Sequence, residues 1–229
     1  MEQSGRRDWR PGRAVAAAIL TFFSTGAMAQ AVPDMAAAVS VSRPAYASNL
    51  GPTIGVDAGH ENYHTVEGRY APFGQLLRND GYRVVSVGGT FTPSELKPLS
   101  VLVIANALAK ANVNNWRLPT PSAFGAGEIE VLRDWVAGGG SLLLIADHMP
   151  FAGAATALAA AFGFGFENDI AVKGDGKAPE VFSLQDGSLV QSAITRGLAR
   201  GEPITQVETF VGSSFTAPPG AVPIMSLDD

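Results

Sequence analysis

The stretch Glu128-Ile129-Glu130-Val131-Leu132-Arg133-Asp134-Trp135-Val136-Ala137-Gly138-Gly139-Gly140-Ser141-Leu142-Leu143-Leu144-Ile145-Ala146 decides the fold. Ile129, Leu132, Trp135 and Val136 recur at helical spacing opposite Glu128, Glu130, Arg133 and Asp134, so the first half predicts an amphipathic helix. Three glycines stop it, and Ser141 to Ala146 reads as a short apolar strand. Working outward, Leu99 to Ala105 is a continuous apolar run of the kind found in strands covered on both faces. Further upstream, Thr53 to Val56 predicts a strand, and Tyr70, Phe73, Leu76 and Leu77 share one helical face. Asn79-Asp80-Gly81 stops that helix, and Arg83 to Val87 is β-branched and strand-like. Strand and helix in alternation with short glycine turns imply right-handed crossovers and a parallel sheet.

Beyond this unit, Ala154 to Phe162 predicts another helix and Lys173 to Gly176 a turn. Gln206 to Val211 and Val222 to Leu227 read as strands. An apolar strand so near the end of the sequence, with no covering helix after it, reads as a domain truncated at its C-terminus.

The N-terminus has a different character. Arg6, Arg7, Arg10 and Arg13 precede an apolar run from Ala14 to Phe23 and the small-residue sequence Ala27-Met28-Ala29. That order is the one of a secretory signal peptide over residues 1–29, and the run is too short to span a bilayer. Residues 30–51, rich in Ala, Ser, Val and Pro, predict a linker, and 52–229 the α/β domain. Export implies a periplasmic or secreted protein without an integral membrane segment. Removing residues 1–29 leaves 12 basic against 19 acidic side chains, a net charge of −7, which offers no surface for nucleic acid. The chain has no cysteine, which excludes disulfides, thiolate ligands and cysteine nucleophiles.

Three segments carry a family resemblance: Ile54-Gly55-Val56-Asp57-Ala58-Gly59-His60-Glu61-Asn62-Tyr63-His64-Thr65, Val101 to Asn106, and Gly139 to Phe151 with its Ala146-Asp147-His148-Met149-Pro150 end. Over about residues 53–170 the chain resembles a bacterial family known as domain of unknown function 4350. The resemblance implies a class I glutamine amidotransferase-like, flavodoxin-like three-layer sandwich, related to domains of gliding-motility transporter accessory proteins. Glutaminase chemistry on that fold uses a cysteine on a sharp turn after a strand, and this chain has none.

All three histidines, His60, His64 and His148, follow predicted parallel strands, with Asp57 and Asp147 beside them. Ligands of open parallel sheets sit outside the carboxyl ends of the strands. In the flavodoxin-like order the strands ending at Val56 and Ala146 flank the one ending at Ala105, so their loops are expected to meet over Asn106. Asp57, His60, Asn62, His64, Asn106, Trp116, Asp147 and His148 are therefore the candidate ligand-binding residues. Imidazole and carboxylate together suit an acid/base pair or a divalent metal such as zinc, with His60, His64, His148 and Asp57 as the ligands.

The H-E-x-x-H spelled by His60 to His64 lacks the apolar flanks of a zinc-protease helix. An exported zinc amidase of the cell wall offers a similar Asp-x-Gly-His, with His60 and Glu67 as first and second ligands. Its third ligand, a histidine before Ala-Asn, is replaced here by Ile104, which cannot bind a metal. Ala107 to Phe124 is long and irregular, and Trp116 near its middle suits stacking on a sugar. The leading expectation is a pocket for a small polar ligand such as a glycan. The rivals are a metal-dependent hydrolase of cell-wall material and a non-catalytic accessory module for a partner protein.

Overall fold

The computed structural model describes residues 32–36, 40–173, 179–197 and 202–227. The described residues all belong to one compact unit, Val32–Asp229. The expected signal peptide lies outside them, as does most of the turn expected at Lys173 to Gly176.

Four strands form the central sheet: β1 (Thr53–Asp57), β2 (Arg83–Val87), β3 (Val101–Ala105) and β4 (Ser141–Ile145). They lie in the order β2-β1-β3-β4 and every pairing is parallel. β3 therefore sits between β1 and β4, as the flavodoxin-like order requires. Helix α1 (Ala71–Asn79) crosses from β1 to β2, α2 (Pro93–Leu96) precedes β3, and α3 (Ala126–Ala137) links β3 to β4. Helix α4 (Phe151–Ala160) begins three residues earlier than the apolar pattern predicts, because Phe151 and Ala152 belong to its buried face.

The two faces of the sheet carry separate cores. On one, Leu102 and Ile104 of β3 pack with Leu132 of α3, Leu158 of α4 and Leu96 of α2. On the other, Ile54, Val56 and Val103 pack against Val66 and against Phe73 and Leu77 of α1. Helix, sheet and helix make the three-layer α/β sandwich. β4 is an edge strand, which is why its apolar Leu143 is 46% exposed while β3 is buried.

After α4 the chain leaves the sheet. Strand β5 (Gly165–Phe166) pairs with β8 (Phe215–Thr216), and β6 (Glu180–Ser183) with β7 (Gln206–Thr209), each antiparallel. A four-residue helix, α5 (Ala193–Arg196), lies between β6 and β7. The strand expected at Val222 to Leu227 does not form. Pro223 has no N–H to donate, and the segment makes a single bridge between Met225 and Leu189. Among the described residues no helix is long and apolar enough to cross a membrane.

The residues just before β1 are irregular but docked. Tyr46 donates its backbone N–H to the Asp80 carbonyl at 3.2 Å and sets its ring edge-on to Tyr82. Gly81, at φ 94°, leaves room for the Tyr46 carbonyl where any Cβ would collide.

Candidate functional site

The carboxyl ends of β1, β3 and β4 feed one edge of the sheet, and the side chains there fall into two clusters. The first is buried. Asp57, the last residue of β1, is fully buried, and its Oδ1 accepts from the Gly59 amide at 3.0 Å. Both Asp57 oxygens lie 3.0 Å from Nδ1 of His60, and Oδ2 also accepts from Asn62 Nδ2 at 2.9 Å. The His60 amide donates to Asn62 Oδ1 at 3.0 Å, closing the turn. Gly59 is required there because a Cβ would strike the backbone of Gly89 beyond β2.

His60 Nε2 reaches Glu128 Oε1, in the first turn of α3, at 3.0 Å. Glu128 also accepts from the amides of Phe91 at 3.1 Å and Gly125 at 2.9 Å. The imidazole lies between the rings of Phe91 and Phe124, with centroids 4.6 and 4.7 Å away. Burial alone would lower the His60 pKa, but the hydrogen bonds and charges of Asp57, then of Glu128, outweigh it and hold it above 6.5. Burial would likewise raise Glu128, yet the Gly125 amide, His60 and the Phe91 amide hold it below its ordinary range. Each ring nitrogen lies 3.0 Å from a carboxylate, so both can donate only in the imidazolium form, which the raised pKa favours.

A ligating imidazole needs a free lone pair, and in this geometry both nitrogens of His60 face carboxylates. Among the described residues no three His, Asp or Glu side chains gather as a metal-holding set. Glu67, the second ligand of the amidase reading, accepts from Ser86 of β2 instead. His60 and His64 do not share a helix either, since Glu61 between them has φ 47° and α1 starts only at Ala71.

The second cluster forms a half-buried rim around Asn106, which follows β3 in the left-handed region at φ 52° and is 2% exposed. Its N–H donates to the Ile145 carbonyl, its Oδ1 accepts from the Asp147 amide and its carbonyl accepts from the Tyr63 amide, each at 2.9 Å. One asparagine thus ties together the loops after β1, β3 and β4. A sharp turn after a strand is present here, but it carries an amide in place of a nucleophile.

Asp147 caps the His148 amide at 2.8 Å, and His148 Nδ1 donates to the Met149 carbonyl at 2.6 Å. The His148 ring is buried against Trp116 and Phe151. His64 stacks on Tyr70 at 4.7 Å and meets Tyr63 edge-on at 5.2 Å. Burial and the Arg69 charge lower its pKa, against the pull of Asp147, so His64 is neutral at pH 7. Its Nδ1 is buried with no hydrogen-bond partner. Burial, then Asp147, raise the Tyr70 hydroxyl above 10.0. The Arg69 guanidinium covers the Tyr63 ring at 3.8 Å and donates to the Tyr63 carbonyl at 3.3 Å.

Trp116 completes the rim. It is half-buried, meets Tyr63 at 5.6 Å and Phe151 at 5.1 Å, and lies 61–75° from each ring it touches, including His148. Its loop is shaped by Asn112, 1% exposed, whose Nδ2 donates to the carbonyls of Asn115, Arg117 and Pro119.

Of the sequence candidates, Asp57, His60 and Asn62 therefore meet in the buried cluster, and His64, Asn106, Trp116, Asp147 and His148 in the rim. Asp57 and His60 are bonded to each other and to Glu128, whereas the Asp147 amide bonds to Asn106 and the His148 ring to the Met149 carbonyl. Sequence reasoning missed Glu128, Phe91, Phe124, Tyr63, Arg69, Tyr70 and Asn112. Only Glu128 carried a signal, an acid in the first turn of a predicted helix.

The chain is similar to a solved structure titled "mmIFT52 N-terminal domain", with a TM-score of 0.57 and 17% identity over 76% of this chain and 72% of that one. At that identity the likeness is one of fold, and it agrees with the flavodoxin-like three-layer arrangement. No protein-family model matches the chain, and no curated protein matches it.

Proposed function

We propose that this chain is an exported protein, periplasmic or secreted, whose α/β domain binds a small polar ligand at the carboxyl ends of β1, β3 and β4. A glycan is the ligand class the rim suits. The supporting observation is the half-buried set Tyr63, His64, Tyr70 and Trp116 beside the carboxylate of Asp147. Aromatic rings stack on the apolar faces of sugars, and a carboxylate accepts from their hydroxyls. The resemblance to domain of unknown function 4350 belongs to the same proposal.

Titration of the mature chain with chitin and peptidoglycan fragments, followed by amide shifts in NMR, tests this reading. Shifts should concentrate at Tyr63, Trp116 and Asp147. Trp116→Ala should weaken binding while its loss of stability stays well below the ~3–5 kcal/mol of a fully buried tryptophan. Indole emission should also respond to the bound sugar. A variant that unfolds instead makes Trp116 a core residue and removes it from the site.

Export is tested separately. Mass spectrometry of protein recovered from periplasm or medium should give Gln30 as the first residue. Full-length protein confined to the cytosol would refute it.

A second reading, the non-catalytic accessory module, is favoured by β4, an uncharged edge strand that leaves Leu143 exposed. Folded mature chain that binds none of the glycan fragments would favour this reading over the first. The metal-dependent hydrolase reading has less support, since among the described residues no three His, Asp or Glu side chains gather as a metal-holding set.

A further inference from the structure

We infer that Asp57, His60 and Glu128 form a charged positioning device beneath the ligand site, and that the loop bearing Tyr63 and His64 is set only while His60 is an imidazolium. The inference deepens the ligand-site reading and rests on it for its functional meaning.

The connections run directly from the triad to the rim. The carbonyl of His60 accepts from the Leu108 amide at 2.9 Å, which anchors the start of the Trp116 loop. The His60 amide and the Asp57 carboxylate both hold Asn62, and the next residue, Tyr63, donates to Asn106. Glu61 is held at φ 47° between these fixed points, a conformation a non-glycine residue keeps only when its neighbours impose it. On the other side, Glu128 joins His60 to the amides of Phe91 and Gly125. The loops after β1, β2 and β3 and the start of α3 thus meet at one ring.

Every group facing that ring is on hand. Asp57 comes from β1 and Glu128 from α3, and these are the two charges that act on it. Phe91 and Phe124 cover its faces and carry no charge. A neutral imidazole has one N–H, so loss of the proton leaves one carboxylate 3.0 Å from a lone pair in a buried place. Either the Asp57 turn or the Glu128 bridge must then open. His148, the other rim histidine, touches Trp116, so its ring signals are followed separately from those of His60. His64 is already neutral at pH 7, and the Tyr70 hydroxyl titrates only above 10.0.

The test uses uniformly 15N-labelled mature chain without ligand. The ring signal of His60 should titrate with a midpoint above 6.5, and below that midpoint both ring nitrogens should report as protonated. The Tyr63 amide and Trp116 indole should follow the same curve. Glu128→Gln should move the His60 midpoint down and the Tyr63 and Trp116 midpoints with it. If that variant does not fold, the wild-type titration decides alone. A His60 that titrates at or below 6.5, or rim signals indifferent to its titration, overturns the inference.

A ligand arm separates the two claims. Affinity for tri-N-acetylchitotriose should fall about tenfold across the His60 transition, an ordinary size for coupling between sites. Binding with unchanged affinity across that transition sinks the positioning role and leaves the glycan reading standing. No binding at any pH, with rim signals that still track His60, sinks the glycan reading and supports the positioning role.

Discussion

Asp57→Ala is expected to destabilise the domain by about 3–5 kcal/mol, the effect of removing one partner from a buried ion pair. Urea denaturation should show a large fall in midpoint with little change in slope. The size follows from what the carboxylate serves. It is fully buried and receives the Gly59 amide, Asn62 Nδ2 and His60 Nδ1, so truncation strips three donors at once and leaves an imidazolium with one counter-charge. Asp57→Asn keeps the volume and one acceptor, and should fall between wild type and alanine. A loss under about 1 kcal/mol for the alanine variant would mean that the triad is wetter than its burial indicates.

The same triad sets how stability depends on pH. His60 is held above its ordinary 6.5, so its contribution is complete below that value and is lost as pH rises through the folded-state pKa. Glu128 is held below its ordinary 4.5, so its contribution is present above that value and is lost as pH falls through the folded-state pKa. Between about 4.5 and 6.5 both contributions stand together, and stability should fall away on either side. Glu128→Gln should abolish the acid limb due to this residue and weaken the alkaline one.

The sheet was legible because its strands and helices obey local rules. The apolar run of β3 and the helical stripe of α3 each state their period without help from the rest of the chain. Beyond α4 those rules weaken. Val222 to Leu227 has strand composition, but Pro223 and the absence of a neighbouring strand to pair with leave it a single bridge. α2 was legible in principle, since Thr92-Pro93-Ser94-Glu95 spells a capping box that the structure forms.

The site was half legible for a physical reason. Topology delivers post-strand residues to one edge, so Asn106 at the meeting point of three loops could be read from strand order. Which way a side chain turns there cannot. His60 faces inward because Phe91, Phe124 and Glu128, from three other segments, build a niche that fits an imidazolium better than solvent does. A histidine between carboxylates and a histidine ready for a metal look alike in sequence.

Asn106 offers the second large effect, and its components can be separated. Asn106→Gly removes the acceptor of the part-buried Asp147 amide while tolerating φ 52°, so it should cost about 1–3 kcal/mol, the penalty of an orphaned donor. Asn106→Ala loses the same bond but keeps the Cβ that glycine removes from the left-handed region, so it should lie about 1–2 kcal/mol below the glycine variant. Asn106→Asp keeps the acceptor but places a carboxylate, 2% exposed, next to the one on Asp147. It should be tolerated only when protonated, so its deficit should grow as pH rises. In all three the Asp147 loop loses its register or its charge balance, so Tyr70 and Trp116 signals should shift even in protein that remains folded. The ordering alanine below glycine is the decisive part. Equal stability of the two would show that the backbone at 106 relaxes out of the left-handed region, and the hydrogen bonds alone would then hold the three loops together.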